Sequence, residues 1–308
     1  MAGLPVCPIG MEQPKSTHVP VMSDEILHWL SPSPGQTFVD GTLGGGGHTR
    51  LIAESVGDEG QVVSFDRDPA AIDRAVVHLQ GLPVKVVHAD FREIPEVLDQ
   101  LSLPPVNGVV LDLGLSSDQL EDEARGFSYD ATGELDLRFD PECGEPAWGL
   151  IRRLSEKALA DVIYRYGEER RSRRIAKQIV LRRRTNPIRT SRDLAELVRS
   201  CVPRSPNHRI DPATRTFQAL RIAVNDELTA LERALQRIPP AIAEGGRLAV
   251  ISFHSLEDRL VKNAFRDDGR YLPLTKKPIR PNQAEVLRNP RCRSARLRVA
   301  QRTDASTA

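Results

Sequence analysis

Between Gln36 and Leu115 the sequence alternates short β-rich runs with amphipathic stretches, and this alternation constrains the fold more than any other feature. The β-rich runs are TFVD, QVVSFD, VKVVHAD and VNGVVLDLG. The stretches between them, HTRLIAESV, PAAIDRAVVHLQ and IPEVLDQL, have the spacing of helices. Repeated β–α units predict a parallel sheet that is covered by helices on its faces. We therefore predict an α/β fold.

The alternation stops near Asp136, and no convincing strand can be recognised between there and Arg209. Four segments in this part have helical spacing: EPAWGLIRRL, EKALADVIYRYG, RRSRRIAKQIVLRRR and SRDLAELVRSCV. The β pattern returns only with GGRLAVISFHS. The simplest topology is an α/β domain of residues 1–135 and 212–308 that is interrupted by a helical insertion of residues 136–211.

A long amphipathic stretch, DPATRTFQALRIAVNDELTALERALQRI, precedes the returning strand. Its apolar residues recur every three or four positions from Phe217 to Ile238, which predicts a helix with one apolar face. Asp211 and Pro212 supply a capping side chain and a first-turn residue ahead of it.

Charge is distributed unevenly along the chain. Residues 1–150 hold 8 Lys and Arg against 25 Asp and Glu, whereas residues 151–308 hold 35 against 17. A basic half suggests a polyanionic partner, although solvated helix faces give the same pattern. Two stretches concentrate the positive charge, Arg165–Arg192 with 11 basic residues and the part from Lys262 onward with 12. We predict that both touch phosphate groups of a nucleic acid.

Cysteine, histidine and hydrophobic patterns exclude several other classes of protein. The four cysteines form no CxxC pair, and His18, His28, His78 and His88 have no ligand-like spacing, so neither a metal site nor a disulfide framework is predicted. No run approaches the roughly 18 apolar residues of a membrane span, and the amino-terminal stretch lacks an apolar signal core. These patterns favour a cytoplasmic location and no membrane partner.

Four consecutive glycines follow the first predicted strand, in DGTLGGGGHTR, residues 40–50. A glycine-rich turn between a strand and a helix lets backbone N–H groups approach a ligand closely, at the edge of the sheet where such folds bind nucleotides. The loop contains no G-x-G-x-x-G, and Gly47 and His48 stand where a phosphate-binding loop has Lys followed by Ser or Thr. The loop therefore argues against both a dinucleotide and a nucleoside triphosphate.

Acidic residues also end the next three predicted strands. Asp66 ends the second, about where an acid accepts hydrogen bonds from an adenosyl ribose. Asp90 and Phe91 follow the third, where the ring offers a face for adenine, and Asp112 ends the fourth. Helix capping explains any one of these acids, but not the convergence of all three on one edge. An adenosyl ligand without a phosphate-binding lysine or a dinucleotide fingerprint points to S-adenosylmethionine.

Several longer strings occur in order along nearly the whole chain, from HVPVMSDEIL at His18 to NPRCRSARLRVAQRT at Thr303. The most specific are GTLGGGGHTR, DLGLSSDQL, RGFSY, YGEERRSRRIA, ATRTFQALRIAVNDEL and ISFHSLEDR. Together they closely resemble the family of the small-subunit ribosomal RNA methyltransferase H. The resemblance implies a Rossmann-like, S-adenosylmethionine-dependent methyltransferase domain with an inserted helical domain.

The resemblance also implies a reaction, a partner and a set of donor-binding residues. The family methylates the exocyclic N4 amine of a cytosine in the decoding region of 16S rRNA, so the implied partner is 16S rRNA, within the small ribosomal subunit. The residues at the family's donor-binding positions are Gly46, Gly47, His48, Asp66, Phe91, Asp112 and Gln119. Gln119 follows from the resemblance alone. A homodimer is one expectation for the assembly, which the sequence leaves open.

The polar segment after the fourth predicted strand supplies the candidates for the chemical step. We expect Asp112, or a hydroxyl of Ser116 or Ser117, to orient the amine, and Phe127 or Tyr129 to contact the base. Core packing of the two aromatic rings, and donor binding without a chemical role for Asp112, are the alternatives. The next polar candidates are Asp136, Ser252 and His254.

Three other functions are weighed against this hypothesis. A non-catalytic RNA-binding factor of ribosome assembly explains the basic half of the chain but not a donor pocket. A nicotinamide-dependent oxidoreductase needs the dinucleotide fingerprint that the glycine loop lacks. A cytosine C5 methyltransferase needs a nucleophilic cysteine, usually after a proline, and no cysteine here follows a proline.

Overall fold

The computed structural model describes residues 20–202 and 211–304. Within them one sheet contains seven strands: β1 (Thr37–Asp40), β2 (Gln61–Asp66), β3 (Val84–His88), β4 (Val106–Asp112), β5 (Ile242–Ser252), β6 (Tyr271–Pro273) and β7 (Arg296–Arg302). Their order across the sheet is β3-β2-β1-β4-β5-β7-β6. Strands β1 to β5 are parallel, whereas β7 is antiparallel to both of its neighbours. The predicted α/β class is confirmed.

Thirteen α-helices accompany the sheet in the described residues. They are α1 (Ser23–Leu30), α2 (Gly47–Val56), α3 (Pro69–His78), α4 (Ile94–Gln100), α5 (Ser117–Glu121), α6 (Ala147–Arg153), α7 (Glu156–Gly167), α8 (Ser172–Thr185), α9 (Ser191–Cys201), α10 (Thr214–Asn225), α11 (Glu227–Arg237), α12 (Ser255–Asp267) and α13 (Gln283–Arg288). None of them is both long and apolar enough to cross a bilayer. The amino-terminal stretch that lacks a signal core, and with it His18 and Cys7, lies outside the described residues, as does Arg209.

The central strands are apolar because helices cover both faces of the sheet. In β4, Val109 and Leu111 point into one core, which α4 and α11 close. Val110 points into the opposite core, which α1 and α2 close. All three side chains are fully buried, as the near-continuous apolar run VNGVVLD predicts for an interior strand.

The strand order reverses between β1 and β4. From β1 the chain continues to β2 and β3 on one side, whereas β4 and β5 lie on the other. In doubly wound sheets, the crevice outside the carboxyl ends of the strands at such a reversal is the ligand site. This topology brings the predicted strand-end residues to one edge.

The helices between β4 and β5 build a separate apolar core, mainly from α6, α7, α8, α9 and α10. This core also takes in Phe127 and Leu135 on one side, and Phe217 and Leu220 on the other. The insertion bounds of 136–211 stay a prediction, and the packing of the insertion reaches beyond them at both ends.

The long amphipathic stretch before β5 forms two helices, not one. Helix α10 ends at Asn225 and α11 begins at Glu227, because Asp226 takes a left-handed conformation with φ 53°. The apolar residues of α10 pack in the insertion core, whereas Leu231 and Leu235 of α11 pack against the sheet. The apolar residues that form one continuous stripe in the sequence therefore pack in two different cores. The break at Asp226 changes the direction of the chain between them.

Strands β6 and β7 had no counterpart in the sequence prediction. Three of the seven residues of the segment RLRVAQR are charged, but β7 lies between β5 and β6, and Leu297 and Val299 are fully buried. Arg298 is buried as well, because Asp258 accepts its hydrogen bonds at 2.6 and 3.3 Å. Because Asp258 neutralises Arg298, a segment with a basic sequence can form an interior strand of the sheet.

Candidate active site

A pocket lies at the carboxyl edge of the sheet, where the ends of β1, β2 and β4 meet the loop after β3. Six of the seven predicted donor-binding residues line it: Gly47, His48, Asp66, Phe91, Asp112 and Gln119. Ser116 and Ser117 line it too. Gly46 does not line the pocket and instead precedes α2 as its cap residue. The structure thus brings together residues that are separated by up to 72 positions in the sequence.

The glycine loop bends sharply so that the amino terminus of α2 faces this pocket. Gly44 and Gly46 have φ angles of 49° and 77°, which residues with side chains rarely adopt. A Cβ atom on Gly47 would lie 2.9 Å from the ring of Pro20, so any larger residue there would have to displace that ring. The first backbone N–H groups of a helix lack intrahelical partners and attract negative charge. They suit the carboxylate of a methionine moiety.

Asp66 is held in place by backbone N–H groups. Its Oδ2 accepts from the N–H of Gly44 at 2.8 Å, and its Oδ1 accepts from the N–H of Asp68 at 2.9 Å. Burial raises the pKa of this carboxyl to about 6, against the opposing effect of these two hydrogen bonds. Each oxygen retains a lone pair, so the carboxylate can still accept the two hydroxyl protons of a ribose.

His48 lies between two acidic strand ends and lacks a hydrogen bond of its own. It is only 6% exposed, and its Nε2 is 3.6 Å from Oδ2 of Asp112. Burial by itself lowers the pKa of His48, but Asp112 and then Asp40 raise it above the ordinary value. A buried polar group without a partner costs about 1–3 kcal/mol. This orphaned imidazole therefore fits a pocket whose polar ligand completes it, as the ammonium and carboxylate of a methionine moiety would.

Ser116 and Gln119 form the capping box of α5. The Ser116 hydroxyl accepts from the Gln119 N–H at 3.1 Å, and Gln119 Oε1 accepts from the Ser116 N–H at 3.1 Å. The Gln119 side-chain amide also donates to Asp68 at 3.4 Å. Both residues therefore shape the pocket wall through local hydrogen bonds. Ser117 begins the helix and lines the same wall.

A second cavity adjoins the first and is lined mainly by the segment after β4, by α10 and by the loop after β5. Phe127, Tyr129, Thr214, Arg221 and His254 are among its lining residues. Both cavities are lined by Leu115, Phe253 and Arg291, which we call the shared wall. A Cβ atom on Gly114 would lie 2.6 Å from the Phe253 ring, so the chain after Asp112 packs directly against this wall.

The two predicted base-contacting rings have different surroundings. Phe127 is 5% exposed, belongs to the insertion core and stacks on Phe139 with ring centroids 6.0 Å apart. Tyr129 is partly exposed, packs edge-on against Phe217 and donates to the Thr214 hydroxyl at 3.1 Å. Both rings reach the second cavity, and Tyr129 has more of its surface free to meet a base.

The next polar candidates for the chemical step, Asp136, Ser252 and His254, differ in whether they line a cavity. Asp136 accepts two hydrogen bonds from the Arg138 guanidinium, at 2.7 and 2.8 Å, and lines neither cavity. Ser252 is 1% exposed and donates to the carbonyl of Arg296 at 3.4 Å, away from both cavities. Of the three, His254 alone lines a cavity.

A buried ionic network fastens the helical insertion to the donor side of the pocket. Arg125 pairs with the fully buried Asp68 at 2.9 Å and donates to the carbonyl oxygens of Arg138 and Phe139 at 2.9 and 2.7 Å. Asn225 Oδ1 accepts from the Phe139 N–H at 2.7 Å. Phe139 lines the donor pocket, so these contacts fix one of its walls.

Sequence reasoning missed a cluster of acids and an imidazole beside the shared wall. Glu227, His254 and Glu257 place ligand-type atoms within 4.8 Å of one another, close enough to hold a metal ion. Both oxygens of Glu227, however, already accept from Arg221, at 2.8 and 2.9 Å. Burial raises the pKa of Glu227, although the Arg221 guanidinium opposes this effect. Only the His-x-x-Glu spacing in ISFHSLEDR was a visible signal of the cluster.

The fold and the pocket define a class of protein. A glycine loop, a helix amino terminus and an acid for ribose hydroxyls, placed at the reversal point of a parallel sheet, are typical of Rossmann-like nucleoside-binding enzymes. A family model, the MraW methylase family, matches residues 15–303. The chain belongs to this family. The predicted class of a Rossmann-like, S-adenosylmethionine-dependent methyltransferase is thereby confirmed.

Three similar proteins carry one common name. A ribosomal RNA small subunit methyltransferase H from Rhodopirellula baltica is 54% identical over 306 residues, which cover 96% of this chain and 94% of that protein. Proteins of the same name from Sorangium cellulosum and Deinococcus radiodurans are 50% and 48% identical. Their matches cover 94% and 95% of this chain, respectively, and 92% of each relative.

Proposed function

We propose that the protein transfers the methyl group of S-adenosylmethionine to the N4 amine of a cytosine in the decoding region of 16S rRNA. The observation that carries this proposal is the pair of adjoining cavities, one built for a nucleoside donor and one lined by aromatic and polar side chains. They meet at the shared wall, directly beyond Asp112. The relatives' common name, which refers to small-subunit ribosomal RNA, supports this choice of substrate.

The pocket residues take distinct roles toward the donor in this proposal. Asp66 accepts hydrogen bonds from the ribose hydroxyls, Phe91 packs on the adenine ring, and Gly47 and His48 contact the methionine moiety. Gln119 closes the wall near the adenosyl group. When bound, S-adenosylmethionine supplies an electrophilic methyl group on a positively charged sulfur. The protein must then align a nucleophile with that methyl group and keep water out.

The residues near the reacting atoms favour an amine over a ring carbon as the nucleophile. Methylation at C5 of cytosine needs a cysteine nucleophile, and none of Cys143, Cys201 and Cys292 lines either cavity in the part of the chain that the structure describes. A direct transfer to an amine needs only hydrogen-bond acceptors for its protons. Asp112, Ser116 and Ser117 stay our candidates for orienting it, and the Ser116 hydroxyl already accepts one hydrogen bond as a cap.

A basic surface of the insertion suits the phosphates of the RNA. Glu168, at the end of α7, accepts hydrogen bonds from Ser255 at 2.6 Å and from Arg259 at 3.2 Å. The loop that follows α7 is therefore attached beside His254, at the second cavity. The exposed side chains of Arg173 and Arg174 follow shortly after, on α8. Single-stranded RNA that enters the second cavity would meet these charges.

The run Arg182–Arg184 is a poorer choice for testing RNA binding than its sequence suggests. Arg182 pairs with Asp193 at 3.2 Å, and Arg183 donates to two backbone carbonyls at 2.6 and 2.7 Å, at the end of α6. Reversing all three charges would damage the helical packing as well as any phosphate contact. Arg173 and Arg174 are the cleaner sites, because both are exposed on α8.

The substrate form and the cellular setting are also part of the proposal. Ribosomal RNA is methylated where subunits assemble, so we propose that the enzyme works in the cytoplasm on the small ribosomal subunit, as a monomer or a homodimer. In the test, the protein and labelled S-adenosylmethionine are incubated in parallel with hypomodified small subunits, with naked 16S rRNA and with tRNA. We expect label in the subunits above the other two. Label in tRNA alone would contradict the proposal, and no label in any of them would favour a non-catalytic assembly factor.

A further inference from the structure

We propose that Arg221 binds the Watson–Crick edge of the target base and thereby selects cytosine among the bases that carry an exocyclic amine. This inference rests on the proposed function and adds to it the residue that determines which base is methylated. The guanidinium of Arg221 donates to N3 and O2 of the cytosine, and Glu227 is the positioning residue that holds the guanidinium in place.

The ion pair of Arg221 and Glu227 connects the two cavities. Arg221 lines the second cavity, whereas Glu227 lines the donor pocket. The two side chains belong to α10 and α11, on either side of the break at Asp226, and they are only 13% and 10% exposed. The guanidinium is therefore available to a base in the second cavity, close to the boundary with the donor pocket.

The contacts of Arg221 leave one edge of its guanidinium unused. Nε and Nη2 donate to Oε1 and Oε2 of Glu227 at 2.8 and 2.9 Å, which makes the pair bidentate. These two bonds use the Nε–H group and one of the two N–H groups of Nη2. Within residues 20–202 and 211–304, Nη1 donates to no acceptor. Nη1 and Nη2 therefore present two parallel N–H donors at a fixed spacing.

The guanidinium is also held from its other side. Cζ of Arg221 lies 6.0 Å from the centroid of the Phe139 ring, and Phe139 lines the donor pocket. Asn225 joins the two residues, because its Nδ2 donates to the Arg221 carbonyl at 2.9 Å and its Oδ1 accepts from the Phe139 N–H at 2.7 Å. An arginine fixed in this way loses little conformational entropy when it binds a ligand.

The three common bases with an exocyclic amine differ in the atoms beside that amine. Cytosine has N3 and then O2 beside N4, and both atoms are acceptors. Adenine has the acceptor N1 and then a C–H group beside N6, whereas guanine has the donor N1–H beside N2. Of these bases, cytosine alone offers two adjacent acceptors to a pair of parallel N–H donors. Adenine would leave one of the donors unpaired, and guanine would oppose a donor with a donor.

The same contacts account for the alignment of the amine. A base that is held at N3 and O2 cannot rotate in its plane, and N4 is the next group along the same edge. We expect N4 to point to the side on which Glu227 lines the donor pocket. Fixing the amine in this direction supplies the near-attack geometry that methyl transfer needs.

Two other donors of the second cavity are less suited to this role. Gln218 already donates through Nε2 to the carbonyl of Tyr166 at 2.8 Å. Arg291 is 48% exposed and lies 3.6 Å from Glu121, which is itself 71% exposed. An exposed, loosely paired arginine suits a phosphate group better than the fixed edge of a base.

Two alternative roles for Arg221 do not involve the edge of the base. The ion pair with Glu227 can serve only to join α10 to α11, or the guanidinium can contact a phosphate group of the RNA. In neither case does the residue interact with N3 of the cytosine. A test must therefore change the base atom as well as the side chain, and measure whether the two changes are coupled.

The experiment combines a protein variant with a base analogue. Arg221→Lys keeps a positive charge beside Glu227 but loses the pair of parallel donors. 3-Deazacytidine keeps the amine but has a C–H group in place of N3. It is introduced at the target position by ligating a synthetic fragment into 16S rRNA, which is then reconstituted into small subunits. 5-Methylcytidine, which keeps all the atoms of this edge, is the control for the base.

Arg237→Lys is the matched control for the protein. Arg237 lies on α11 and forms an ion pair with Glu96, but it lines neither cavity. Thermal unfolding midpoints and donor affinity by calorimetry establish that each variant folds and binds S-adenosylmethionine. If Arg221→Lys does not fold, Arg221→Met combined with Glu227→Gln takes its place, because this double variant removes both buried charges together.

The measured quantity is the ratio of the single-turnover rates on cytidine and on 3-deazacytidine, at saturating donor. We expect this ratio to be at least about tenfold larger for the parent than for Arg221→Lys or the double variant. The analogue's different amine reactivity affects all the enzymes equally and cancels in this comparison. Arg237→Lys should keep the parental ratio, and 5-methylcytidine should show no coupling with either arginine.

Equal ratios in the parent and in the Arg221 variants, within about twofold, would overturn the proposal, even if the variants were slow. That result would leave Arg221 with a structural role or a phosphate contact. A parental enzyme that makes no N4-methylcytidine would contradict the proposed function itself. Because that failure appears in the parental reaction before any variant is compared, the two failures are distinguishable.

Discussion

Donor binding should depend on pH through Asp66. Its pKa in the free protein is raised to about 6, so about half of the molecules carry a protonated Asp66 at pH 6. A protonated carboxyl accepts hydrogen bonds more weakly than a carboxylate, and its own proton competes with the ribose hydroxyls, so the donor should select the ionised form. If only that form binds, the dissociation constant of S-adenosylmethionine should rise about tenfold between pH 7.5 and pH 5.

The same carboxyl should work against the stability of the free protein. The pKa of Asp66 in the folded protein lies above its ordinary value of 3.8, so the folded state binds the proton of this carboxyl more tightly than the unfolded state does. The stabilisation that results is fully present below about pH 4 and is lost as the pH rises through 6. A shift of this size corresponds to about 3 kcal/mol. Relative to Asp66→Asn, the parent should therefore lose up to about that much unfolding free energy between pH 4 and pH 7.

The assay measures donor affinity by calorimetry and unfolding by denaturant, across this pH range, for the parent, Asp66→Asn and the exposed control Asp99→Asn. Asp66→Asn should bind the donor about 10 to 100 times more weakly at pH 7.5, because a hydroxyl partner is lost. It should also lack the tenfold pH dependence. Donor affinity within twofold of the parent, or an unchanged pH dependence, would remove Asp66 from the ribose site.

Three further perturbations follow from the contacts. Asp112→Asn keeps the shape but removes the charge, and should slow single-turnover methylation at saturating donor at least about tenfold, or about 1.4 kcal/mol of barrier; a parental rate would confine Asp112 to donor binding. Arg173→Ala with Arg174→Ala should weaken RNA binding in filter-binding titrations and lower the salt slope by about 0.7 per charge removed, whereas an unchanged slope would make these arginines an ordinary solvated face. Arg125→Met leaves the buried Asp68 unpaired and should cost about 3–5 kcal/mol in denaturant unfolding; a loss below 1 kcal/mol would contradict the buried network, and adding Asp68→Asn should recover part of the loss.

The sequence predicted the first four strands and the donor edge because their signals are local. TFVD, QVVSFD and VNGVVLD are apolar runs that end in an acid, and the glycine loop directly follows the first of them. Parallel pairing then brings the ends of the strands together whatever lies between them in the chain. The positions of Phe91 and Asp66 in the pocket could therefore be predicted from these local signals alone.

The parts that the sequence did not reveal depend on long-range partners. Arg298 reads as a surface charge until Asp258, 40 positions away, is found beside it. Glu227 reads as a helix-surface residue, because nothing in the sequence shows that Arg221 and the His254 loop enclose it. The break at Asp226 is likewise invisible, because the apolar periodicity continues through it while the packing partner changes.

The most direct test of the account is the identity of the methylated nucleoside. Small subunits that lack this modification are incubated with the protein and S-adenosylmethionine, the 16S rRNA is digested, and the nucleosides and the fragment of origin are identified by mass spectrometry. The account predicts N4-methylcytidine from a fragment of the decoding region, formed by the parent and reduced at least about tenfold in Asp112→Asn. A methyl group on C5 of cytosine, on another base, or on a ribose would contradict the proposed alignment of an exocyclic amine at the wall between the two cavities.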